Sequence, residues 1–476
     1  MVRKAPRILP EIAGNVHRKL AGGRACAAFA RETAPVLSFV RMNVNELARA
    51  ARAAAGPLSR SSAEVRNAAL AAMAAGLRDH AGEIFAANRE DLAAAAAEGL
   101  DAPLAARLSF DERKLAGLLD GLDALAALPD PVGRVQLRTE LAPDLVLERV
   151  ACPLGVVGVV FESRPDALVQ ISSLCLKSGN ACLLKGGREA LRTNRALFSA
   201  IRASTAAAGI PADWIALLES REDVAAMLAC DRDIDLVVPR GSNAFVRHIQ
   251  ESTRIPVMGH SSGLCHLYVD ASADVAMAVR IAVDAKTQAP STCNSIETLL
   301  VHEAAAPAFL PALASAMAEK GVELRGDDAA RAIVPSMSPA TDADWDEEYL
   351  GLVLSVRVVP SLDEAVAHAN AHGSHHTDAI VARDRAAAER FLAAVDSADV
   401  FWNCSTRFAD GFRFGLGAEV GISTGKLHAR GPVGLEGLTT YKWILRGAGQ
   451  TVAPFVSGEA RFTHRPLPLG GGPADA

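Results

Sequence analysis

Between residues 44 and 128 apolar side chains recur three and four apart among Ala, Leu, Arg and Glu, so this stretch predicts several packed helices. The alanine run over 91–99 belongs to one of them. The period then changes. Two short alternating segments within 135–150 flank Leu141-Ala142-Pro143-Asp144, a β-hairpin signal, and a protruding hairpin suits contacts between subunits. Downstream, β-branched apolar runs at 156–161, 181–185, 214–218 and 234–238 alternate with helical patterns at 167–176, 190–208 and 224–229. That is doubly wound α/β organisation, in which ligands lie beyond the carboxyl ends of the strands. The segments 161–166, 185–188 and 239–243 should therefore converge on one crevice. A second βα series runs from 265 to about 400, with mostly helix over 301–343, a strand at 352–359 and a helix at 362–370. Residues 401–442 are dense in Gly, Arg, Ser and Thr and short of helical periods, as in loops that line a site.

Composition narrows the class. With 476 residues and 50% apolar content the chain can bury a large core in two or three domains. A net charge of -6 argues against nucleic acid as the main partner, and no apolar run reaches membrane-spanning length. The eight cysteines include no C-x-x-C pair, which favours reduced thiols in a cytosol-like compartment. In residues 1–41, Arg3, Lys4, Arg7, Arg18, Lys19, Arg24, Arg31 and Arg41 face only Glu11 and Glu32. This segment reads either as a targeting peptide, though poor in hydroxyl residues, or as an upstream extension of a chain that functions from near Met42.

Candidate chemistry concentrates at Ser291-Thr292-Cys293-Asn294-Ser295, where one cysteine sits among small polar residues just before an apolar strand. A nucleophilic thiol needs such a reachable loop held by rigid structure; the alternative is a packing cysteine. Cys152, Cys175, Cys182, Cys230, Cys265 and Cys404 read as packing residues, Cys404 being the one that could face a site. No G-x-G-x-x-G fingerprint occurs in 152–257. Instead Lys185-Gly186-Gly187-Arg188 ends one strand, and Arg240-Gly241-Ser242-Asn243 ends another and opens a helix whose amides suit a phosphate. His372, His375 and His376 suggest a metal cluster, but no cysteine or carboxylate stands at matching ligand spacing, and no metal is expected there.

These elements, with the motifs spanning 153–187, 235–243, 285–301, 372–381 and 403–443, resemble the aldehyde dehydrogenase superfamily, and within it the gamma-glutamyl phosphate reductases, over about 43–447. The resemblance implies an α/β, aldehyde dehydrogenase-like fold: two Rossmann-like doubly wound α/β domains plus an oligomerisation hairpin. The implied boundaries are a basic, disordered extension at 1–41, an NADP-binding domain at 42–264 with its hairpin at about 132–150, a catalytic domain at 265–400, a loop-rich segment at 401–446 completing the site and the oligomerisation region, and a flexible tail at 447–476. It also implies a cytoplasmic homodimer or homotetramer that reduces glutamyl 5-phosphate with NADPH in proline biosynthesis, with a possible glutamate kinase complex.

Residue roles follow from the same resemblance. Cys293 is the nucleophile, and Asn294, through its backbone amide, part of the oxyanion hole. Lys185, Gly186, Gly241 and Ser242 bind the dinucleotide; Arg188, standing where NAD-preferring relatives carry a glutamate, pairs with a 2'-phosphate; Glu348 meets the nicotinamide ribose. Arg164 and Asp166, with Ser405, Thr406 and Arg407, bind the substrate, although a structural ion pair is an equal alternative for either arginine. One contrast bears on direction. Where hydrolytic aldehyde dehydrogenases resemble E-L-G-G-K, this chain has Val257-Met258-Gly259-His260-Ser261, so the base that activates water is missing. The competing reading is an NAD-linked dehydrogenase that oxidises a small semialdehyde.

Overall fold

Asn43 starts the first helix, Val44–Arg60, with a capping box: its side chain accepts from the Glu46 amide, and the Glu46 carboxylate accepts from the Asn43 amide. The computed structural model describes residues 42–100, 102–162, 164–241, 243–260 and 262–469. The extension at 1–41, Ser242 and 470–476 lie outside the described residues. Helices Ala63–Asp79, Ala81–Ala97, Ala102–Leu108 and Glu112–Ala127 follow, as the helical period predicts. Ala48, Ala51, Leu58, Leu70, Met73 and Leu77 turn inward to a core shared with the parallel sheet behind them.

The expected hairpin pairs Val135–Ala142 with Leu145–Pro153, and Asp144 takes the left-handed φ of 57° that its turn needs. This hairpin grows into a four-stranded antiparallel sheet ordered Thr439–Arg446, Leu145–Pro153, Val135–Ala142, Arg465–Pro466. The last strand corrects the reading of a flexible tail over its described part, residues 447–469. Arg465 pairs with Glu140 through two bonds of 2.9 Å, and the Thr463 and Leu467 amides donate to Leu141 and Arg138 carbonyls. Ladder bonds and a forked ion pair outweigh what Pro and Gly content suggests.

Four parallel strands make the first doubly wound sheet, ordered Ile215–Leu218, Ala181–Lys185, Val156–Val160, Leu236–Pro239, with Val257 adding a single bridge beside Val237. Helices Pro165–Lys177 and Leu191–Ala207 connect its strands. The second sheet has seven strands, ordered Ser338–Pro339, Glu323–Gly326, Val353–Val359, Ile296–His302, Cys265–Val269, Thr377–Val381, Asp399–Trp402, and every neighbouring pair is parallel. Here 301–343 departs from the mostly helical expectation. Besides helices Ala306–Glu319 and Asp328–Ile333 it holds the strands Glu323–Gly326 and Ser338–Pro339, too short to show a period.

The two sheets approach the site from opposite ends. The loops after Val156–Val160 and Leu236–Pro239 reach it from carboxyl ends, whereas Gly263, Cys293 and His376 stand just before three adjacent strands of the second sheet, at their amino ends.

Candidate active site

Cys293 is partly buried in the turn before Ile296–His302. Three contacts fix that turn. Thr406 donates its hydroxyl to the Asn294 carbonyl at 2.7 Å, the Asn294 side-chain amide donates to the Ala409 carbonyl at 2.8 Å, and the Cys265 thiol donates to the Cys293 carbonyl at 3.2 Å. Gly263 packs so closely that a Cβ there would overlap the Cys293 backbone. Below the turn, Lys286 and Glu297 form a buried ion pair of 2.6 Å, and Lys286 also donates to the Ile296 carbonyl at 3.0 Å. Burial pushes the Glu297 carboxyl up to about 7 and the Lys286 ammonium down, while each partner's charge opposes the shift.

The electrostatics around the sulfur are balanced between signs. Burial first, then the Glu419 and Glu348 carboxylates, push the Cys293 thiol up to about 12, while the Arg240 and Arg407 guanidiniums pull it back. The free protein therefore holds a thiol, not a thiolate, at neutral pH. The carboxylates are themselves held: Glu348 accepts from the Gly263 amide at 2.8 Å and Glu419 from the Gly411 amide at 2.8 Å. Burial lowers the pKa of Arg240, against the raising influence of Glu419; burial and then Arg413 lower that of Arg407. Arg407 donates from Nε to Gln288 at 2.9 Å.

Arg164, Arg240 and Glu419 line a cavity of about 440 Å³ between helices Glu112–Ala127 and Pro165–Lys177, together with Asp120, Gln170 and Asp410. Cys293 is not in its lining, but Arg240 and Glu419 belong to both the cavity and the charged surroundings of the sulfur.

Comparisons with known proteins decide the family. The Aldehyde dehydrogenase family model matches residues 30–343 and 331–444. The gamma-glutamyl phosphate reductase of Pelotomaculum thermopropionicum is 57% identical over 426 residues, covering 90% of this chain and 98% of that protein. A crystal structure of the gamma-glutamyl phosphate reductase from Thermotoga maritima superposes with a TM-score of 0.84 at 38% identity, over 86% of this chain and 100% of that one. The chain belongs to the gamma-glutamyl phosphate reductase family. An acetylating aldehyde dehydrogenase from Geobacillus thermoglucosidasius, 17% identical with a TM-score of 0.62 over 86% of this chain and 97% of that one, shares the fold.

In this gamma-glutamyl phosphate reductase family member the residues singled out from sequence divide by position. Cys293, Asn294, Glu348 and Arg407 gather at the turn, and Arg164 stands in the cavity with a 3.1 Å ion pair to Asp166. Ser405 and Thr406 are buried as supports: the Ser405 hydroxyl accepts from the Arg407 amide at 3.3 Å, and Thr406 holds Asn294 as described. Lys185 and Gly186 end one strand and Gly241 follows another, the two separated by Val156–Val160, and a Cβ on Gly186 would overlap the Asn194 and Phe161 side chains packed against it. Arg188 is exposed and ion-paired to Glu98 at 2.9 Å. Ser242 lies outside the described residues.

Arg240, Glu419 and Gly263 were not singled out from sequence as site side chains. The first two stand inside quoted motifs, but only the meeting of the two sheets brings them to the sulfur. The three histidines separate: His372 pairs with Asp346 at 2.8 Å, His375 adopts a φ of 58°, and His376 alone reaches Cys293.

Proposed function

We propose that the chain reduces L-glutamyl 5-phosphate to L-glutamate 5-semialdehyde with NADPH, releasing phosphate through a thioester on Cys293. The observation that carries this reading is a thiol flanked by Arg240 and Arg407 beside a cavity that Arg164 also lines. Glutamyl phosphate presents two anionic ends, an acyl phosphate and an α-carboxylate, and guanidiniums suit both. Arg240 and Arg407 take the phosphate, since their charge reaches the sulfur; Arg164 takes the carboxylate; Asp120 and Asp410 face the ammonium.

As the Cys293 sulfur bonds to the acyl carbon, the carbon–oxygen bond to phosphate breaks and the thiol proton passes to the departing phosphate. Thiol plus acyl phosphate become thioester plus hydrogen phosphate, and no protein base is consumed. The Asn294 amide supports the developing oxyanion. Val257, packed against the first sheet, offers no base for water, so the thioester outlasts the wait for reduction.

The carboxyl ends of the first sheet's parallel strands, with a helix opening after Gly241, fit a dinucleotide. Lys185, Gly186, Gly241, Ser242 and Glu348 would hold it, and Arg188 would exchange its exposed Glu98 partner for a 2'-phosphate. When bound, NADPH supplies the reducing equivalent.

The outer strand Thr439–Arg446 exposes Tyr441, Trp443 and Leu445, a surface suited to a homodimer or homotetramer. No helix of the described residues is long and apolar enough to cross a membrane. A cytoplasmic setting, and hand-over of the labile acyl phosphate from a separate glutamate kinase, fit this chemistry.

The test is phosphate-dependent reduction of NADP by glutamate 5-semialdehyde, comparing the native chain with Cys293→Ala. Turnover should fall by at least about 10³-fold with NADPH binding intact. Undiminished turnover, or turnover indifferent to phosphate, would overturn the reading.

A further inference from the structure

One imidazole nitrogen from each of His260 and His376 and the Cys293 sulfur all lie within 4.8 Å of one another. The two rings meet edge to face, centroids 5.0 Å apart at 85°. Each ring is oriented from behind. His260 Nδ1 lies 3.0 Å from the Ile422 carbonyl, which can only accept, so Nδ1 carries the proton and Nε2 the lone pair. His376 Nδ1 lies 2.7 Å from Thr377 Oγ1, and that hydroxyl donates to Asp399 at 3.4 Å. The Thr377 oxygen is thereby left to accept from His376 Nδ1, and again Nε2 keeps the lone pair. His376 is fully buried, and its Nε2 has no hydrogen-bond partner among the described residues. A buried polar atom left in that state calls for an explanation.

We propose that Cys293, His260 and His376 form an inhibitory site for a divalent transition-metal ion of the zinc class, which shuts the enzyme by coordinating its nucleophile. One sulfur and two imidazole nitrogens make a zinc donor set, and the absence of an oxygen ligand from the trio disfavours magnesium and calcium. With metal–nitrogen bonds of about 2.0–2.1 Å and a metal–sulfur bond of about 2.3 Å, tetrahedral ligand atoms sit roughly 3.3–3.6 Å apart. The trio, its ligand atoms within 4.8 Å of one another, has to close by about an ångström to reach that spacing. The fourth position is left to water. Carbonyl or hydroxyl partners behind both ring nitrogens are the outer-shell support that metal-binding histidines require. On binding, the sulfur–hydrogen bond is replaced by a sulfur–metal bond, the proton passes to buffer, and nothing is oxidised.

The ion here is no cofactor. It occupies the one atom that must attack the substrate, so it competes with any acyl substrate whatever its identity, and the inference stands apart from the choice of glutamyl phosphate.

The full chain, stripped with chelator, is titrated with Co²⁺ and then Zn²⁺. One equivalent of Co²⁺ should give tetrahedral visible bands with a sulfur-to-metal charge-transfer band, and Zn²⁺ should displace it, slow alkylation of Cys293 by iodoacetamide and be reversed by chelator. Cys293→Ala should lose the charge-transfer band. His376→Gln and His260→Gln should each weaken Zn²⁺ binding by at least about tenfold, and Thr377→Val, which removes the support behind His376, by about 10-fold to 100-fold. Thermal melting of each variant checks folding, and His260→Gln decides the matter if His376→Gln does not fold. An octahedral cobalt spectrum, a charge-transfer band that survives in Cys293→Ala, or Zn²⁺ affinity unchanged in a folded histidine variant would overturn the site.

Discussion

At Val257 one side chain bears, in the proposed thioester chemistry, on which molecule can attack the acyl–sulfur bond. The residue bridges Val237 at the margin of the first sheet and packs on its core, and the sequence resemblance sets it where hydrolytic aldehyde dehydrogenases carry a glutamate. Val257→Glu should therefore open a hydrolytic route: in phosphate-free buffer, NADP reduction by glutamate 5-semialdehyde should rise by about 10²-fold with glutamate as product, the usual worth of a placed general base. A variant that folds yet yields no glutamate would show that water is kept out by something other than the missing carboxylate. Legibility at this scale follows chain distance. Cys293 stands out because its polar neighbours are adjacent in sequence. Arg240 showed only as part of a strand-end loop and Glu419 not at all, because their meeting with the sulfur is made by folding and not by neighbours in sequence. Thr406, expected beside Arg407 to hold the substrate, donates its hydroxyl to the Asn294 carbonyl.

Helix Val275–Thr287 and strand Ile296–His302 are clamped together at the Cys293 turn by Lys286 and Glu297. Removing one partner leaves the other charge buried, so Lys286→Met should lower unfolding free energy by about 3–5 kcal/mol in urea titration, and Lys286→Met with Glu297→Leu by less. A single variant as stable as the parent would mean that the clamp contributes nothing. The elements themselves were readable where they were long. Helices of 13 to 17 residues, such as Pro165–Lys177 and Leu191–Ala207, fall where the period puts them. The four-residue strand Glu323–Gly326 and the two-residue strands Ile422–Ser423 and Gly431–Pro432 did not announce themselves, since pairing partners rather than their own pattern define them.

Taken as a whole, the molecule keeps neutral histidines in its interior, and this sets its response to acid. Burial first, then the charges of His266, His372 and Arg357, drive the His368 imidazole down to about 2; burial also lowers His260 and His376. His368 accepts a 2.9 Å contact from Arg357 and packs against Trp345. In the unfolded chain these rings take up protons below about pH 6.5, while the folded chain refuses them. Stability is therefore undiminished above that pH and falls as pH drops from 6.5 towards 2, by up to about 1.4 kcal/mol per pH unit for His368 alone. Denaturant midpoints measured from pH 7 to pH 4 should decline along that slope, and less steeply in His368→Gln; equal slopes would remove this ring as a cause.

Only Leu154 and Gly155 separate the strand Leu145–Pro153 from Val156–Val160. One run of chain is thus a rung of the outer antiparallel sheet and then the inner strand from which Phe161 and Arg164 project. The two sheets share this one continuous run of chain, so the outer sheet is tied by the shortest of links to the strand that leads to Arg164 and its cavity.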